Sequence, residues 1–319
     1  MKLRPLGRSG LSIPPLVFGS NVLGWTVSEN DAFSLLDALI DTGLNVIDTA
    51  DVYSRWAPGN RGGESEVIIG KWLAKRGRRD DVVIATKVGM EMGPGAKGLA
   101  PQYIANAVED SLARLQTDYI DLYQSHADDP DVPMTDTLGA YQKLIEQGKV
   151  RIIGASNFTA VRLSEALMVS ERHGLPRYES IQPEYNLYTR EPFESHMQAV
   201  VLAQDVATIN YYALASGFLS GKYRHIEDAT LSARGQGVVD KYLNERGIRI
   251  LHALDTVADS VGATPAQVAL AWQMAQPGIT APIASATTLT QVEELGAAAR
   301  LELDEAALTL LSQASAWRD

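Results

Sequence analysis

Eight short apolar runs, spread along most of the chain, constrain the possible folds more than any other feature of the sequence. They lie at residues 16–18, 46–47, 82–85, 119–122, 150–153, 180–182, 207–209 and 279–283. The runs are mostly continuous rather than alternating, which is typical of parallel strands covered on both faces. From the second run to the seventh, their starts are roughly 27 to 37 residues apart, enough for one strand and one helix each. The pattern predicts a repeated βα unit.

Helical patterns fill the intervals between these runs. Apolar residues recur at every third or fourth position over residues 32–40, 104–115, 141–145 and 163–167, as in helices with one face on a core. Gly43, Gly148 and Gly174 follow three of these segments, where a left-handed residue commonly ends a helix. Eight such units without a change in composition predict one α/β domain over residues 1–319, a (β/α)8 TIM barrel rather than an open sheet.

Two segments depart from a minimal barrel. Residues 7–10 (GRSG) lie between short extended pieces, which predicts an N-terminal β-hairpin that closes the barrel bottom. Residues 216–244 are rich in glycine and polar residues, which predicts a long loop after strand seven. Helices are expected at residues 248–261, 265–276, 290–299 and 304–314, with Pro265 at a helix start and Thr264 as its cap.

The composition argues against several classes of protein. No apolar run reaches the roughly 18 to 20 residues of a membrane-spanning helix, and the opening MKLRPLGRSG lacks the apolar stretch of a secretory signal. The absence of cysteine excludes disulfides and thiolate catalysis, and it fits a cytoplasmic location. A net charge of −11 argues against a nucleic-acid surface. The five histidines show no metal-ligand spacing, so no metal is expected.

Polar residues follow three consecutive runs, at the strand ends where a barrel builds its working site. Asp48 and Tyr53 follow the second run, Lys87 the third and His126 the fourth. Each alone also fits a structural role, but the four together form a chemical set. A tyrosine is a poor acid at neutral pH, and a neighbouring ammonium is expected to lower its pKa. With Asp48 as counter-charge to the lysine and His126 orienting a carbonyl, the set can protonate a carbonyl oxygen during attack on its carbon.

Several motifs resemble those of the aldo-keto reductases. They are residues 6–11 (LGRSGL), 48–53 (DTADVY), 85–87 (ATK), 123–126 (YQSH), 154–158 (GASNF), 181–186 (IQPEYN) and 219–223 (LSGKY). The matches keep the family's order and cover nearly the whole chain, and they resemble bacterial-type, long-loop members on the branch of the potassium-channel β subunits. The resemblance implies an NADP-dependent oxidoreductase that reduces aldehydes or ketones to alcohols, with Tyr53 as general acid and Asp48, Lys87 and His126 completing the catalytic set.

The resemblance also implies a nicotinamide cofactor that lies extended across the barrel mouth without a Rossmann domain. We expect NADPH, with NADH as the alternative. The carboxamide is expected at Ser156, Asn157 and Gln182, Tyr211 is expected to stack on the ring, and the pyrophosphate is expected along residues 212–222. The expected cofactor contacts are Ser20, Asp48, Ser156, Asn157, Gln182, Tyr211, Leu214, Ser216, Gly217, Lys222, Thr287, Gln291 and Glu294.

Three positions depart from the family pattern at the cofactor. The segment YYALA after the seventh run places Tyr212 where many relatives have serine, which removes a hydroxyl contact. Leu295 stands where an asparagine usually meets the adenine, and Gln291 where some members carry an arginine for the 2′-phosphate. These changes weaken the preference for NADPH over NADH. Lys222 and Arg234 remain as the cations expected to meet the extra phosphate.

Trp25, Trp56 and residues 54–63 are expected to form the walls of the substrate pocket. Aromatic walls favour aldehydes or ketones with an apolar part, although such residues also serve in ordinary packing. The expected partner is therefore a small carbonyl compound.

Two other functions fit part of the same pattern. A Schiff-base aldolase on this fold uses Lys87 as its nucleophile, but it has no need of the nicotinamide contacts. A cofactor-sensing regulatory subunit, similar to the potassium-channel β subunits, carries asparagine at the position of His126, so the histidine favours turnover. Residues 93–98 (GPGAKG) match a dinucleotide fingerprint. Pro101 separates them from the next helix, whereas that fingerprint needs a tight strand–turn–helix, so this match is rejected.

Overall fold

A sheet of eight parallel strands forms the centre of the molecule in a computed structural model, which describes residues 1–232 and 234–317. Within these residues the strands are β1 (Arg4–Pro5), β2 (Ser12–Ile13), β3 (Val17–Gly19), β4 (Val46–Asp48), β5 (Val83–Val88), β6 (Ile120–Ser125), β7 (Val150–Ser156), β8 (Tyr178–Gln182), β9 (Ala207–Thr208) and β10 (Ile283–Ala284). Strands β3 to β9 pair in chain order, and β10 pairs with β3. All eight predicted runs contribute to this sheet.

The sheet closes on itself between β9 and β10. The backbone N–H of Ala281 donates to the carbonyl of Thr208 at 3.0 Å, and that of Ile283 donates to the carbonyl of Asn210 at 2.8 Å. Side chains from the strands fill the interior as one buried cluster that includes Val17, Val46, Ala85, Leu122, Ile152 and Ala207. The (β/α)8 prediction is confirmed. The eighth strand is shorter than predicted because Pro282 has no N–H to donate.

Helices surround the barrel. They are α1 (Glu29–Asp41), α2 (Glu64–Arg76), α3 (Pro101–Leu115), α4 (Met134–Glu146), α5 (Ala160–His173), α6 (Gln198–Gln204), α7 (Gly235–Tyr242), α8 (Glu245–Val261), α9 (Pro265–Met274), α10 (Leu289–Ala298) and α11 (Glu305–Ala314). Thr264 caps α9 and Gly174 ends α5 with a φ of 63°, both as predicted. Helix α8 begins three residues earlier than predicted because the Asn244 side chain accepts from Gly247 N–H. Within the described residues, no helix has both the length and the apolar character to cross a membrane.

The N-terminal hairpin closes one end of the barrel. β1 and β2 pair antiparallel, and the side chains of Leu6 and Ile13 join the interior cluster. The Arg4 guanidinium donates to three carbonyl oxygens, those of Met274 at 2.9 Å, Thr280 at 3.1 Å and Ile279 at 3.2 Å. This arrangement confirms the predicted hairpin and leaves the opposite end, at the carboxyl ends of the strands, open.

The segment after β9 contains more regular structure than the sequence indicated. Residues 216–244, predicted as a loop, hold 3₁₀ turns at Ala215–Ser220 and Ile226–Leu231 and the whole of α7. The long connection is present as predicted, but the sequence analysis missed α7, which is stabilised by the burial of Val238, Val239 and Tyr242.

Candidate active site

Four polar side chains that were predicted to act together lie at the carboxyl ends of three neighbouring strands. Asp48 is the last residue of β4, Lys87 lies one residue before the end of β5, and His126 directly follows β6. Tyr53 lies on the loop after β4. Because the three strands are parallel neighbours, their ends open on the same mouth of the barrel. The fold thus brings all four residues together.

The ammonium of Lys87 forms the centre of this cluster. It donates to Asp48 Oδ2 at 2.6 Å, to the carbonyl of Thr49 at 2.8 Å and to the Tyr53 hydroxyl at 3.0 Å. These three acceptors use all three of its hydrogens. Both members of the ion pair are buried, and leaving either alone in this setting costs several kcal/mol. Burial lowers the pKa of Lys87, and the charge of Asp48 opposes that shift.

The second carboxylate oxygen of Asp48 is held by two glutamines. Gln182 Nε2 donates to Asp48 Oδ1 at 2.9 Å and Gln124 Nε2 donates to the same atom at 3.2 Å. Gln182 was predicted as a cofactor contact only, and Gln124 was given no role. The pairing of β5 with β6 could have revealed the role of Gln124, because it places residue 124 directly opposite Lys87. The two amides fix the carboxylate that in turn fixes the lysine.

Tyr53 retains its proton at neutral pH. Its hydroxyl accepts from Lys87 and donates to Asp48 Oδ2 at 3.3 Å. Burial raises the pKa of Tyr53 well above its ordinary value, and the negative charge of Asp48 raises it further. The expectation of a lowered pKa was wrong, because loss of hydration and the charge of Asp48 both disfavour the phenolate. The result is a phenol that is protonated at neutral pH.

His126 lies beside Tyr53 as a neutral imidazole. The two ring centroids are 6.1 Å apart with the planes inclined at 70°. Burial lowers the pKa of His126 well below its usual value, and the charge of Lys87 acts in the same direction. Among the described residues, its buried Nδ1 has no hydrogen-bond partner. A neutral ring carries one N–H, so it can donate one hydrogen bond to a ligand.

An elongated cavity of about 870 Å³ opens on this cluster. Its walls include Trp25, Asp48, Tyr53, Trp56, His126, Ser156, Asn157, Gln182, Tyr211, Leu214, Ser216, Gly217, Lys222, Arg234, Thr287, Gln291 and Glu294. Every predicted cofactor contact except Ser20 therefore lines one continuous space. A volume of this size falls within the range of cofactor and drug-sized ligand sites.

The side chains predicted at the nicotinamide form a hydrogen-bonded chain beside the catalytic cluster. Ser156 Oγ donates to the carbonyl of Gln182 at 2.9 Å, and Asn157 Nδ2 donates to the carbonyl of His126 at 2.8 Å. The Tyr211 hydroxyl donates to Asn157 Oδ1 at 2.9 Å. These contacts hold a set of amide and hydroxyl groups at the cavity wall, which suits recognition of a carboxamide.

The segment after β9 brings strained backbone to the cavity. Tyr212, Ala215 and Ser216 have φ values of 53°, 48° and 56°, and Gly217 follows at 93°. Left-handed conformation is costly for side chains other than glycine, and such strain concentrates at ligand-binding segments. A Cβ on Gly217 would lie 3.2 Å from Lys222 Nζ, so glycine lets the ammonium approach this turn. The strained turn and the nearby cation suit an anionic part of a ligand.

The far end of the cavity lies at the start of α10. Gln291 Oε1 accepts from the N–H of Thr287 at 2.7 Å and from its hydroxyl at 3.1 Å. Glu294 lies on the next turn of the helix and lines the same cavity. The residues predicted at the adenosine end are thus continuous with those predicted at the nicotinamide.

Two buried residues near the mouth differ from the sequence predictions. Ser20 is fully buried, and its hydroxyl donates to the carbonyl of Asp48 at 2.8 Å and contacts Ser65 Oγ, so it supports the strand end instead of lining the cavity. Asp51 was overlooked although it lies in the DTADVY motif. Its side chain is 2% exposed, and burial followed by the charge of Glu66 raises its pKa to about 7.

Fold and site together define a class: a (β/α)8 barrel that presents a protonated tyrosine, held by a buried lysine–aspartate pair, to a large cavity at the carboxyl ends of the strands. The chain belongs to the aldo/keto reductase family, whose family model matches residues 15–316. Membership in this family identifies an oxidoreductase. The described residues contain no cluster of three acidic or histidine side chains able to hold a metal ion.

Comparison with individual proteins gives the same family. The chain is 33% identical to the Uncharacterized oxidoreductase YrpG of Bacillus subtilis, over 98% of this chain and 95% of that protein. It is 33% identical to Protein tas of Escherichia coli, over 96% of this chain and 95% of that protein. It is 31% identical to a Probable voltage-gated potassium channel subunit beta of Arabidopsis thaliana, over 92% of this chain and 90% of that protein. The relatives therefore include a protein named as an oxidoreductase and one named as a channel subunit.

Proposed function

We propose that this protein reduces aldehydes or ketones to alcohols, with NADPH as the hydride donor and Tyr53 as the proton donor. The observation that carries the proposal is the Tyr53 hydroxyl, which faces the cavity, accepts from Lys87 at 3.0 Å and has a raised pKa. A hydroxyl with those properties can supply a proton to an oxygen that becomes negative.

The reaction needs two transfers to the carbonyl. A reduced nicotinamide held in the cavity would supply the hydride for the carbonyl carbon, which leaves the carbonyl oxygen in need of a proton. That oxygen takes the proton of Tyr53, and the phenolate left behind is stabilised by the ammonium of Lys87. His126, as a neutral donor, orients the carbonyl oxygen toward Tyr53. Positioned acids of this kind typically contribute about 10² to 10⁴ in rate.

The chain's own residues also support a position for the cofactor. Ser156, Asn157 and Tyr211 would hold the nicotinamide end, the strained turn would hold the pyrophosphate, and Lys222 beside it would meet the additional phosphate of NADPH. Lys222 forms no ion pair with an acid in the described part of the chain, so its charge is available to a phosphate. We propose NADPH as the preferred form because this cation can meet the additional phosphate.

The aldolase alternative is disfavoured by the surroundings of Lys87. Its nitrogen already donates three hydrogen bonds and forms a buried ion pair, so it is a poor nucleophile, which must offer a free lone pair. The regulatory alternative is favoured by the potassium-channel relatives alone. A protein that only senses the cofactor has no need of a protonated tyrosine and a neutral histidine at the cavity floor.

A substrate panel tests the proposal. Purified protein is incubated with NADPH or NADH and with aliphatic and aromatic aldehydes and ketones, and loss of the reduced nicotinamide absorbance is followed together with alcohol formation. We expect aldehydes to be turned over, faster with NADPH. Tight cofactor binding without turnover of any carbonyl in the panel would favour the regulatory alternative.

A further inference from the structure

A line of aromatic rings leads from the catalytic tyrosine to an arginine across the cavity mouth. The rings of Tyr53 and Trp56 are edge-to-face with centroids 6.0 Å apart, and those of Trp56 and Trp25 are edge-to-face at 5.8 Å. The guanidinium of Arg234 lies over the Trp25 ring, 4.6 Å from its centroid. All four side chains line the same cavity, so one ligand can contact both ends of this line.

Arg234 differs from its neighbouring cations in its partners. In the same segment, Arg224 forms a two-point ion pair with Asp255 at 2.6 and 2.7 Å, and Lys241 lies 3.5 Å from Glu184. Arg234 has no acidic partner among the residues that the structure describes. The contact with Trp25 holds the planar guanidinium in place and leaves its N–H edges available, the edges that bind a carboxylate at two points.

We propose that Arg234 binds an anionic group on the substrate, and that the substrates are aldehydes or ketones with an apolar, preferably aromatic, body that ends in a carboxylate or a similar anion. This inference rests on the proposed function. The carbonyl is placed at Tyr53, the body lies along Trp56 and Trp25, and the anion meets Arg234. The two tryptophans supply flat walls for the body of the substrate, and the arginine sets the direction in which the substrate lies.

The position of Arg234 assigns it to the substrate instead of the cofactor phosphate expected from the sequence. Trp25 lies on the connection between β3 and α1, and Trp56 lies three residues beyond Tyr53. The phosphate site proposed above lies elsewhere along the chain, at the strained turn against which Lys222 packs. The two cations of the cavity thus serve two different anions.

Matched substrates test this assignment. We would measure kcat/KM for 4-carboxybenzaldehyde and for its methyl ester, and for the longer pair 4′-formylbiphenyl-4-carboxylic acid and its methyl ester. Each pair differs in charge at one end and shares the same carbonyl. Within one variant, dividing kcat/KM for the acid by kcat/KM for the ester cancels any change in cofactor binding. The variants are Arg234→Gln, Arg234→Lys and, as the cofactor-side control, Lys222→Gln.

We expect the wild type to prefer at least one acid over its ester, and Arg234→Gln to lower that ratio about tenfold or more, as for loss of a charge-assisted contact. Arg234→Lys should restore part of the ratio, and added salt should reduce it. Lys222→Gln should weaken NADPH binding without changing the ratio. A ratio that is the same in wild type and Arg234→Gln, while both turn over the aldehydes, overturns the inference and leaves the proposed function standing.

A binding assay covers the case in which no aldehyde is turned over, which would count against the proposed function itself. The product analogue 4-(hydroxymethyl)benzoate and its methyl ester are titrated onto the NADP-loaded protein by tryptophan fluorescence. A preference for the acid that Arg234→Gln abolishes supports an anion site at Arg234. Equal affinities, or a preference that Arg234→Gln leaves intact, overturn it.

Discussion

The two ends of the cavity are built in opposite ways. At the catalytic end, Lys87 and Asp48 are buried and their polar atoms are satisfied by other groups of the protein. At the other end, on the segment after β9, the backbone is strained and Lys222 forms no ion pair with an acid within the described residues. The Lys87–Asp48 pair at one end is satisfied by the protein, and the cation at the other end is left to a ligand.

This difference separates two kinds of function. A cluster that is satisfied by the protein holds its geometry before any ligand binds, as expected for catalytic groups whose orientation must be set in advance. A segment with strained backbone and unpaired cations gains most from binding an anion. Changes at the catalytic end should therefore affect turnover and folding stability, whereas changes at the other end should affect ligand affinity.

The largest effect on stability is expected at the ion pair. Lys87→Met leaves Asp48 buried without its partner, so it should abolish turnover and lower the free energy of unfolding by about 3 to 5 kcal/mol. In urea melts, the double variant Asp48→Asn with Lys87→Met should lose less stability than the two single variants added together. Strict additivity would show that the two side chains are not coupled, and would remove the distinction between the two ends.

Asp51, at the catalytic end, should make the folding stability of the protein depend on pH. Its folded pKa of about 7 lies above the ordinary 3.8, so the folded state keeps a proton that the unfolded state releases. Stability is therefore fully present below pH 3.8 and falls as the pH rises toward 7, by up to about 4 kcal/mol. Glu66 strengthens this shift, and Arg114 and Lys87 oppose it. Asp51→Asn should flatten the profile of stability against pH in this range.

Denaturant melts between pH 5 and pH 8 check the Asp51 prediction. The same substitution at the exposed Asp131 is the control and should leave the profile as in wild type. An Asp51→Asn profile that falls as steeply as wild type would assign the effect to another group.

The smallest effect is expected at the ligand-facing end. Lys222→Ala should weaken NADPH by roughly tenfold and NADH far less, because only NADPH carries the additional phosphate. The difference should shrink as salt rises. Lys241→Ala removes a cation of the same segment that is already near Glu184, and it should leave the two affinities nearly unchanged. Equal weakening of both cofactors by Lys222→Ala would place the lysine at a group that they share.

The catalytic end was also the more predictable from the sequence. Asp48, Lys87 and His126 follow from the strand pattern alone, because each lies at a fixed place relative to the end of a parallel strand. The helix α7 was missed, since its stability comes from tertiary burial of Val238 and Val239 that local glycine content does not reveal. The contact between Arg234 and Trp25 joins distant parts of the chain, which a single sequence does not show.

The direction of the Tyr53 pKa shift was beyond sequence reasoning for a different reason. The sequence showed a lysine near a tyrosine, which alone lowers the pKa of the phenol. The structure adds the burial of the phenol and the nearby charge of Asp48, and both raise its pKa. A balance of opposing electrostatic effects depends on distances and hydration that no motif specifies. The position of Tyr53 beside Lys87 could be predicted, but its ionisation could not.

The most direct test of the central claim is the single-turnover rate of aldehyde reduction by Tyr53→Phe saturated with reduced cofactor. Phenylalanine keeps the ring that packs near Trp56 and His126 and removes only the proton donor. We predict a loss of about 10² to 10⁴ in rate, with cofactor affinity unchanged by tryptophan fluorescence titration. Retention of most of the wild-type rate would contradict the account, because the carbonyl oxygen would then take its proton from another group.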